Sequence, residues 1–228
     1  MTPREFSERL AKRARKANIS LDSQAAESLG AYYRLLEFWN EKVNLTAFSL
    51  KDVPDEAIDR LLIEPLVAAR HLHGSHGQGH GPRLGPHPRL LDIGSGGGSP
   101  AIPLKIAMPS LQLLMVESKT RKSAFLREAV RHLNLLDTAV ETVRVEDLLT
   151  RSELHESQDL VSVRAVRVEQ KMLTSIQAFL RLGGRILLFR TSTGTDAPPL
   201  VAPPLVYEAT WTLVENLRSR LVVLRKML

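Results

Sequence analysis

The chain has 228 residues, of which 43% are hydrophobic, carries a formal charge of +6 and contains no cysteine. That length suits one main domain with an appendage, and no apolar run approaches membrane length, so the composition predicts a soluble protein with no membrane partner. Without cysteine there are no disulfides, thiolate metal sites or Cys nucleophiles, which agrees with a cytoplasmic address, while the positive charge admits a polyanionic partner.

The first sixteen residues hold Arg4, Arg9, Lys12, Arg13, Arg15 and Lys16 together with Glu5 and Glu8, and they lack the apolar core of a secretory signal. They read as an exposed helical face, with a nucleic-acid arm as the second reading. Leu21 to Glu41 is a clearer amphipathic helix carrying Leu29, Tyr32, Tyr33, Leu36 and Trp39. WNEKVNLTAFSL then reads as an ordered loop in which Asn44 and Thr46 make turns. A second helix is predicted over Pro54 to Leu72, so residues 1–72 form a helical extension.

His71 to Pro88 holds five of the seven histidines: His71, His73, His76, His80 and His87. Glycines and prolines separate these imidazoles, and neither cysteine nor clustered carboxylates join them. The segment therefore reads as a flexible surface linker, placed at residues 73–88, and not as a zinc site; no metal is expected.

From residue 89 to 228 the pattern is α/β. RLLDIGSGGGSP, from Arg89 to Pro100, is a short buried strand that runs into Gly94, Gly96, Gly97 and Gly98, and AIPLKIA then opens a helix. Glycines at a strand-to-helix junction let backbone N–H groups approach a nucleotide-like cofactor. The next apolar run, LQLLMVES, ends on Glu117, where a carboxylate at a strand tip accepts hydrogen bonds from the two hydroxyls of a ribose. Nicotinamide and S-adenosylmethionine enzymes share this architecture. The dinucleotide fingerprint asks for glycine at its sixth place, where this chain has Ser99. Asp92 before the turn suits S-adenosylmethionine, which has no phosphates and carries an ammonium that needs acceptors.

After Glu117 the segment SKTRKSAFLREAVRHLNLL reads as a helix with an apolar stripe of Ala124, Phe125, Ala129, Leu133 and Leu136. Lys119, Arg121, Lys122, Arg127 and Arg131 face outward beside the cleft, which favours an anionic substrate over a merely solvated face. Further strands are predicted at Ala139 to Val145, Asp159 to Val163 and Arg185 to Arg190, with Gly183 and Gly184 stopping the helix before the last of these. Leu205 to Leu213 and Arg220 to Met227, after a Pro-rich loop at Ala197 to Pro204, should pair antiparallel. The outcome is a seven-stranded Rossmann-like α/β sheet with an antiparallel terminal hairpin, the class I S-adenosylmethionine-dependent methyltransferase fold, behind an N-terminal helical extension.

The runs LLEFWNEKVNLTAF, LLDIGSGGGSPAIPLKIAMP, ESKTRKSAFLREAVRHLNL, VRVEDL, DLVSVRAV, GGRILLF and RLVVLRK, in that order, resemble the bacterial small-subunit ribosomal RNA methyltransferase G family, the glucose-inhibited division protein B type. The resemblance covers nearly the whole chain from about Leu35. It implies methyl transfer from S-adenosylmethionine to N7 of a guanine in the decoding region of 16S rRNA, on naked RNA or on the small-subunit particle. Carried onto this sequence, it implies Gly94, Gly96, Gly98 and Ser99 in the cofactor turn, Glu117 at the ribose, Val145 and Glu146 around the adenine, and Arg164 at the cofactor edge. Arg121 and Lys122 match basic positions expected near RNA. The chain departs from the family pattern at Ser99, Pro100 and Ala101, where a bulky apolar residue, Pro and Gly are usual. It departs again at Leu61 and Pro65, which stand where His and Ser are common.

N7 of guanine offers an in-plane lone pair and needs no deprotonation, so catalysis reduces to alignment and no catalytic side chain is assigned. Pyrimidine C5 methylation usually needs a cysteine, and exocyclic amine methylation an Asn/Asp-Pro-Pro-aromatic motif where this chain reads SVRAV. The alternatives are a class I methyltransferase acting on another nucleic acid or a small molecule, and a noncatalytic RNA-binding protein with a degenerate cofactor fold. The sequence carries no signal of oligomeric state.

Overall fold

The computed structural model describes residues 2–72, 84–164, 169–192 and 199–227. Helix α1 (Pro3–Lys16) opens on a capping box: Thr2 Oγ1 accepts from the Glu5 N–H, and the Glu5 carboxylate accepts from the Thr2 N–H. Its buried residues Phe6, Leu10 and Ala14 recur every four positions and form one stripe, which packs on α2 (Ser23–Asn40). Helix α2 is capped by the Asp22 carboxylate, which accepts from the Ala25 N–H, and buries Leu29, Tyr32, Tyr33 and Leu36.

The helix expected over Pro54 to Leu72 is continuous but not uniform. It runs as α3 (Asp55–Ile58), a π-helical stretch (Asp59–Ile63) and α4 (Glu64–Leu72). Pro65 sits one residue into α4. A proline deprives the preceding turn of a backbone donor, and the wider π winding ends just ahead of it.

Seven strands form one sheet in the order β3-β2-β1-β4-β5-β7-β6. They are β1 (Arg89–Ile93), β2 (Gln112–Val116), β3 (Thr138–Glu141), β4 (Gln158–Arg164), β5 (Leu180–Thr191), β6 (Leu205–Thr212) and β7 (Ser219–Lys226). The first five are parallel, and β7 is inserted antiparallel between β5 and β6. The terminal hairpin is thus present as expected. Strand β1 has β2 on one side and β4 on the other, so the order reverses there and a crevice opens beyond the carboxyl ends of these strands. Along β1, Leu90 joins the core beneath the N-terminal helices, while Leu91 and Ile93 join the core on the opposite face. Asp92 shares the face of Leu90. Helices α5 (Ala101–Ala107), α6 (Thr120–His132), α7 (Val145–Leu148) and α8 (Gln170–Ile176) connect the strands.

Two expectations are corrected. The third strand ends at Glu141, and Val145 opens α7, because the Asp147 carboxylate accepts the Arg144 N–H and caps a helical turn there. Gly183 and Gly184 do not stop a helix, since α8 ends at Ile176 and both glycines lie within β5. Gln158 pairs with Leu180 and Leu160 with Arg185, so the residues between bulge out; Gly183 takes φ +75° there. Most of the predicted linker, residues 73–83, and part of the Pro-rich loop, residues 193–198, lie outside the described residues.

Candidate active site

The carboxyl ends of β1, β2, β4 and β5 surround a cavity of about 850 Å³, closed from the other side by residues of the N-terminal helices. Its floor is the turn after β1. Gly94 and Ser95 both donate their N–H to Val116 O, at 2.9 and 3.1 Å, which binds the turn to the tip of β2. Gly94, Gly96 and Gly98 take φ of +71°, +52° and +85°, in the left-handed region. At Gly97 a Cβ would stand 3.2 Å from Leu36 Cδ1 and 3.3 Å from Leu45 O, so a side chain there would press on the N-terminal wall.

Glu117 is buried at the end of β2. One carboxylate oxygen accepts from Gly96 N–H at 3.0 Å and the other from Lys119 N–H at 2.8 Å. It therefore braces the turn from one side while Tyr32 braces it from below, its hydroxyl donating to Gly97 O at 2.6 Å. Each Glu117 oxygen keeps a further lone pair for a ligand hydroxyl.

The opposite wall is built by the loop after α2 and by the π-helical turn. Asn40 Oδ1 accepts from the N–H groups of Leu45 and Thr46, at 2.8 and 2.9 Å, and this places Leu45, Thr46, Ala47 and Phe48 along the cavity. Below them Glu64 is buried between two arginines: Arg60 Nη1 lies 3.1 Å and Arg164 Nη2 2.6 Å from its carboxylate. Arg164, at the end of β4, also donates to Arg60 O and to Ser99 Oγ, and its guanidinium lies 4.6 Å over the Phe189 ring. Burial raises the Glu64 pKa above the ordinary carboxylate range, against the pull of the two arginines, and burial likewise lowers that of Arg164.

Asp92 lies beneath the turn with 1% of its surface exposed. Ser162 Oγ donates to its Oδ1, while Oδ2 has no hydrogen-bond partner among the described residues. Burial raises its pKa, partly offset by the hydroxyls of Ser162 and Ser95.

Of the residues singled out in the sequence, the structure brings Gly94, Gly96, Ser99, Glu117, Lys122 and Arg164 to the cavity. Gly98 stands behind it: a Cβ there would come 2.5 Å from Ile102 Cδ1, so this glycine lets α5 pack. Val145 packs into the core on the far face of the sheet and Glu146 is exposed; neither lines the cavity. Arg121 is exposed on α6 outside it. The sequence reading missed Thr46, Phe48, Arg60, Glu64, Phe189 and Arg190, all cavity residues. For Glu64 a signal was present, a lone carboxylate inside RLLIEPL, because a charge on an apolar helix face needs a buried partner.

The sequence pattern of the family described as rRNA small subunit methyltransferase G matches residues 25–197. The chain belongs to that family. Relatives named ribosomal RNA small subunit methyltransferase G include one from Xylella fastidiosa, 34% identical over 91% of this chain and 90% of its own length, and one from Roseiflexus, 32% identical over 92% and 80%. A Syntrophus aciditrophicus relative is 39% identical over 59% of this chain, a match spanning 50% of that protein. Among solved structures, MtNAS in complex with MTA and tNA superposes with TM-score 0.56 at 14% identity, covering 99% of this chain and 87% of that one. A fibrillarin/Nop5p complex superposes with TM-score 0.51 at 16% identity, covering 70% and 80%. These two likenesses concern the fold. The family is one of S-adenosylmethionine-dependent methyltransferases, and the site fits that methyl donor: a glycine cradle a side chain would fill and spare acceptors on Glu117. Among the described residues there is no group of three metal-ligating side chains, and no helix is long and apolar enough to cross a membrane.

Proposed function

We propose that the chain methylates N7 of a guanine in 16S ribosomal RNA, as free RNA or within the small-subunit particle, in the cytoplasm where that RNA is assembled. The observation that carries this reading is the cavity itself, which brings the glycine turn and Glu117 together with two basic side chains, Lys122 on α6 and Arg190 at the end of β5. Residues 89–228 are read as the methyltransferase domain and residues 1–72 as an extension that supplies one wall of its site.

Bound S-adenosylmethionine supplies an electrophilic methyl sulfonium. Glu117 takes the ribose hydroxyls on its spare lone pairs, and Gly94, Gly96 and Ser99 shape the floor under the donor. Val145 and Glu146, whose side chains lie outside the cavity, are assigned to the adenine side through their backbone alone, because α7 follows β3, which pairs with β2 one residue from Glu117. Lys122 at the cavity and Arg121 beside it draw the RNA phosphates. With the donor bound, these residues would hold guanine N7 in line with its methyl group, and methyl transfer would leave the positive charge on the guanine. No proton is removed, and the residues act by alignment and water exclusion.

The test is to map methyl groups transferred by the purified protein to small-subunit RNA from cells lacking it. A single guanine that becomes cleavable by reduction and aniline is the expected result. A pyrimidine or exocyclic methylamine product refutes the N7 assignment, and no transfer to this RNA refutes the substrate.

A further inference from the structure

Pro65 takes a backbone donor away from the π-helical turn, and two carbonyls there face it. Arg60 O faces Glu64 at the α spacing and Pro65 at the π spacing. The Glu64 N–H is spent on Asp59 O, and proline has none. Leu61 O faces the same proline at the α spacing. Both carbonyls are met from outside the helix: Ser99 Oγ donates to Leu61 O at 2.9 Å, and Arg164 Nη1 donates to Arg60 O. Arg164 Nη1 also reaches Ser99 Oγ at 3.1 Å, so the serine hydroxyl accepts from the arginine while it donates to the helix.

We infer that Ser99 is a positioning residue whose hydroxyl replaces the helical hydrogen bond Pro65 removes, and so fixes the far end of the glycine turn against the N-terminal wall of the donor cavity. The inference rests on reading that cavity as the S-adenosylmethionine site. Arg60, Leu61, Ser99 and Arg164 all line it, so the bond is formed at the site and not in a remote core. Tyr32 holds Gly97 and the Gly98 N–H donates to Ser95 O, so Ser99 is the next tie along the turn, joining its far end to the π-helical turn. A turn released at that end misplaces the donor more than the RNA, which approaches from the rim.

Four variants test it: Ser99→Ala, Ser99→Thr, Pro65→Ala and the double Ser99→Ala/Pro65→Ala. Each is titrated calorimetrically with S-adenosylmethionine, assayed for KM of donor and RNA, and melted. The bond is internal to the protein, so its loss weakens donor binding only through the fraction of turns released from the binding form, with one net hydrogen bond setting a ceiling of about tenfold; S99A should raise the donor Kd and KM severalfold, up to about tenfold. KM for RNA should stay within about twofold. S99T keeps the hydroxyl and should bind within about twofold of the parent. P65A returns an N–H facing Leu61 O, so it should rescue S99A while changing the parent's affinity less than about twofold.

Parental donor affinity in S99A, equal losses for donor and RNA, or a folded double variant no better than S99A would each overturn the inference. Should S99A fail to fold, recovery of folded protein in the double variant supports it and failure of both overturns it. A parent that does not bind S-adenosylmethionine defeats the reading of the site instead, and the four melting temperatures then still report whether Ser99 and Pro65 are coupled.

Discussion

Glu64→Ala should be among the most damaging single changes in the molecule. The Glu64 side chain is 3% exposed, and its partners Arg60 and Arg164 are 19% and 16% exposed, so the three charges form a largely desolvated cluster. Removing one partner of a buried pair typically costs about 3–5 kcal/mol, because the remaining charge is stranded. Here two guanidinium groups would be left side by side. Both keep other acceptors, Arg60 on Leu217 O at 3.2 Å and Arg164 on Arg60 O and Ser99 Oγ, which argues for the lower end, about 3 kcal/mol. For a chain of this size that corresponds to a fall in Tm of roughly 6–12 °C. Glu64→Gln keeps the volume and one acceptor and should lose about half as much. Melting curves at low and high salt decide the matter, since a buried cluster is poorly screened. A Tm within about 2 °C of the parent, or a loss that disappears in about 1 M salt, refutes the claim that this cluster fastens the extension to the sheet.

Glu117→Ala should weaken S-adenosylmethionine binding by about 1–3 kcal/mol in calorimetry, and because its carboxylate also holds the Gly96 and Lys119 N–H groups it should lower Tm as well. Unchanged affinity in a folded variant removes it from the ribose role. Arg121→Ala with Lys122→Ala should flatten the salt dependence of RNA binding by up to about two units of log–log slope while donor affinity changes little; parallel slopes return both residues to a solvated face. For Asp92 the raised pKa means that the folded state holds the proton to higher pH than the unfolded chain does. Stability is therefore lost as pH rises from the ordinary carboxylate range through the raised value. Asp92→Asn abolishes that slope, so its Tm should gain on the parent's across this window; a gap constant with pH contradicts the assignment.

Much of the fold is visible in the chain because five of the seven strands are parallel. Buried strands such as LLMV are short apolar runs closed by an acid, LLDI is broken only by Asp92 and closed by a turn, and in that turn Gly94, Gly96 and Gly98 take left-handed φ. Local pattern misled where a competing local bond intervened: the cap between Arg144 and Asp147 turned the expected strand at Val145 into a helix, and a bulge in β5 absorbed the glycine pair that resembled a helix stop. In the site, the glycine turn and Glu117 were legible because they are contiguous with their strands. Phe48 and Arg60 were not, since each reaches the cavity only after distant segments have met. The departures from the family pattern at Pro65 and Ser99 looked unrelated at a separation of more than thirty residues, yet in space they flank the same carbonyl.

One core cluster runs without interruption from Phe6, Leu10 and Leu29 through Leu62 and Leu66 to Leu90, Leu113, Phe125 and Val223. Helices α1 and α2 are made before the sheet and therefore carry an apolar face whose cover lies in strands made later, part of it in β7, which follows the other six strands. Until then the nascent extension is a sticky amphipathic stretch, open to chaperones and to misassociation. A nascent chain arrested before β1 should remain protease-sensitive throughout, and protection of α1 and α2 should arrive together with the sheet and not ahead of it.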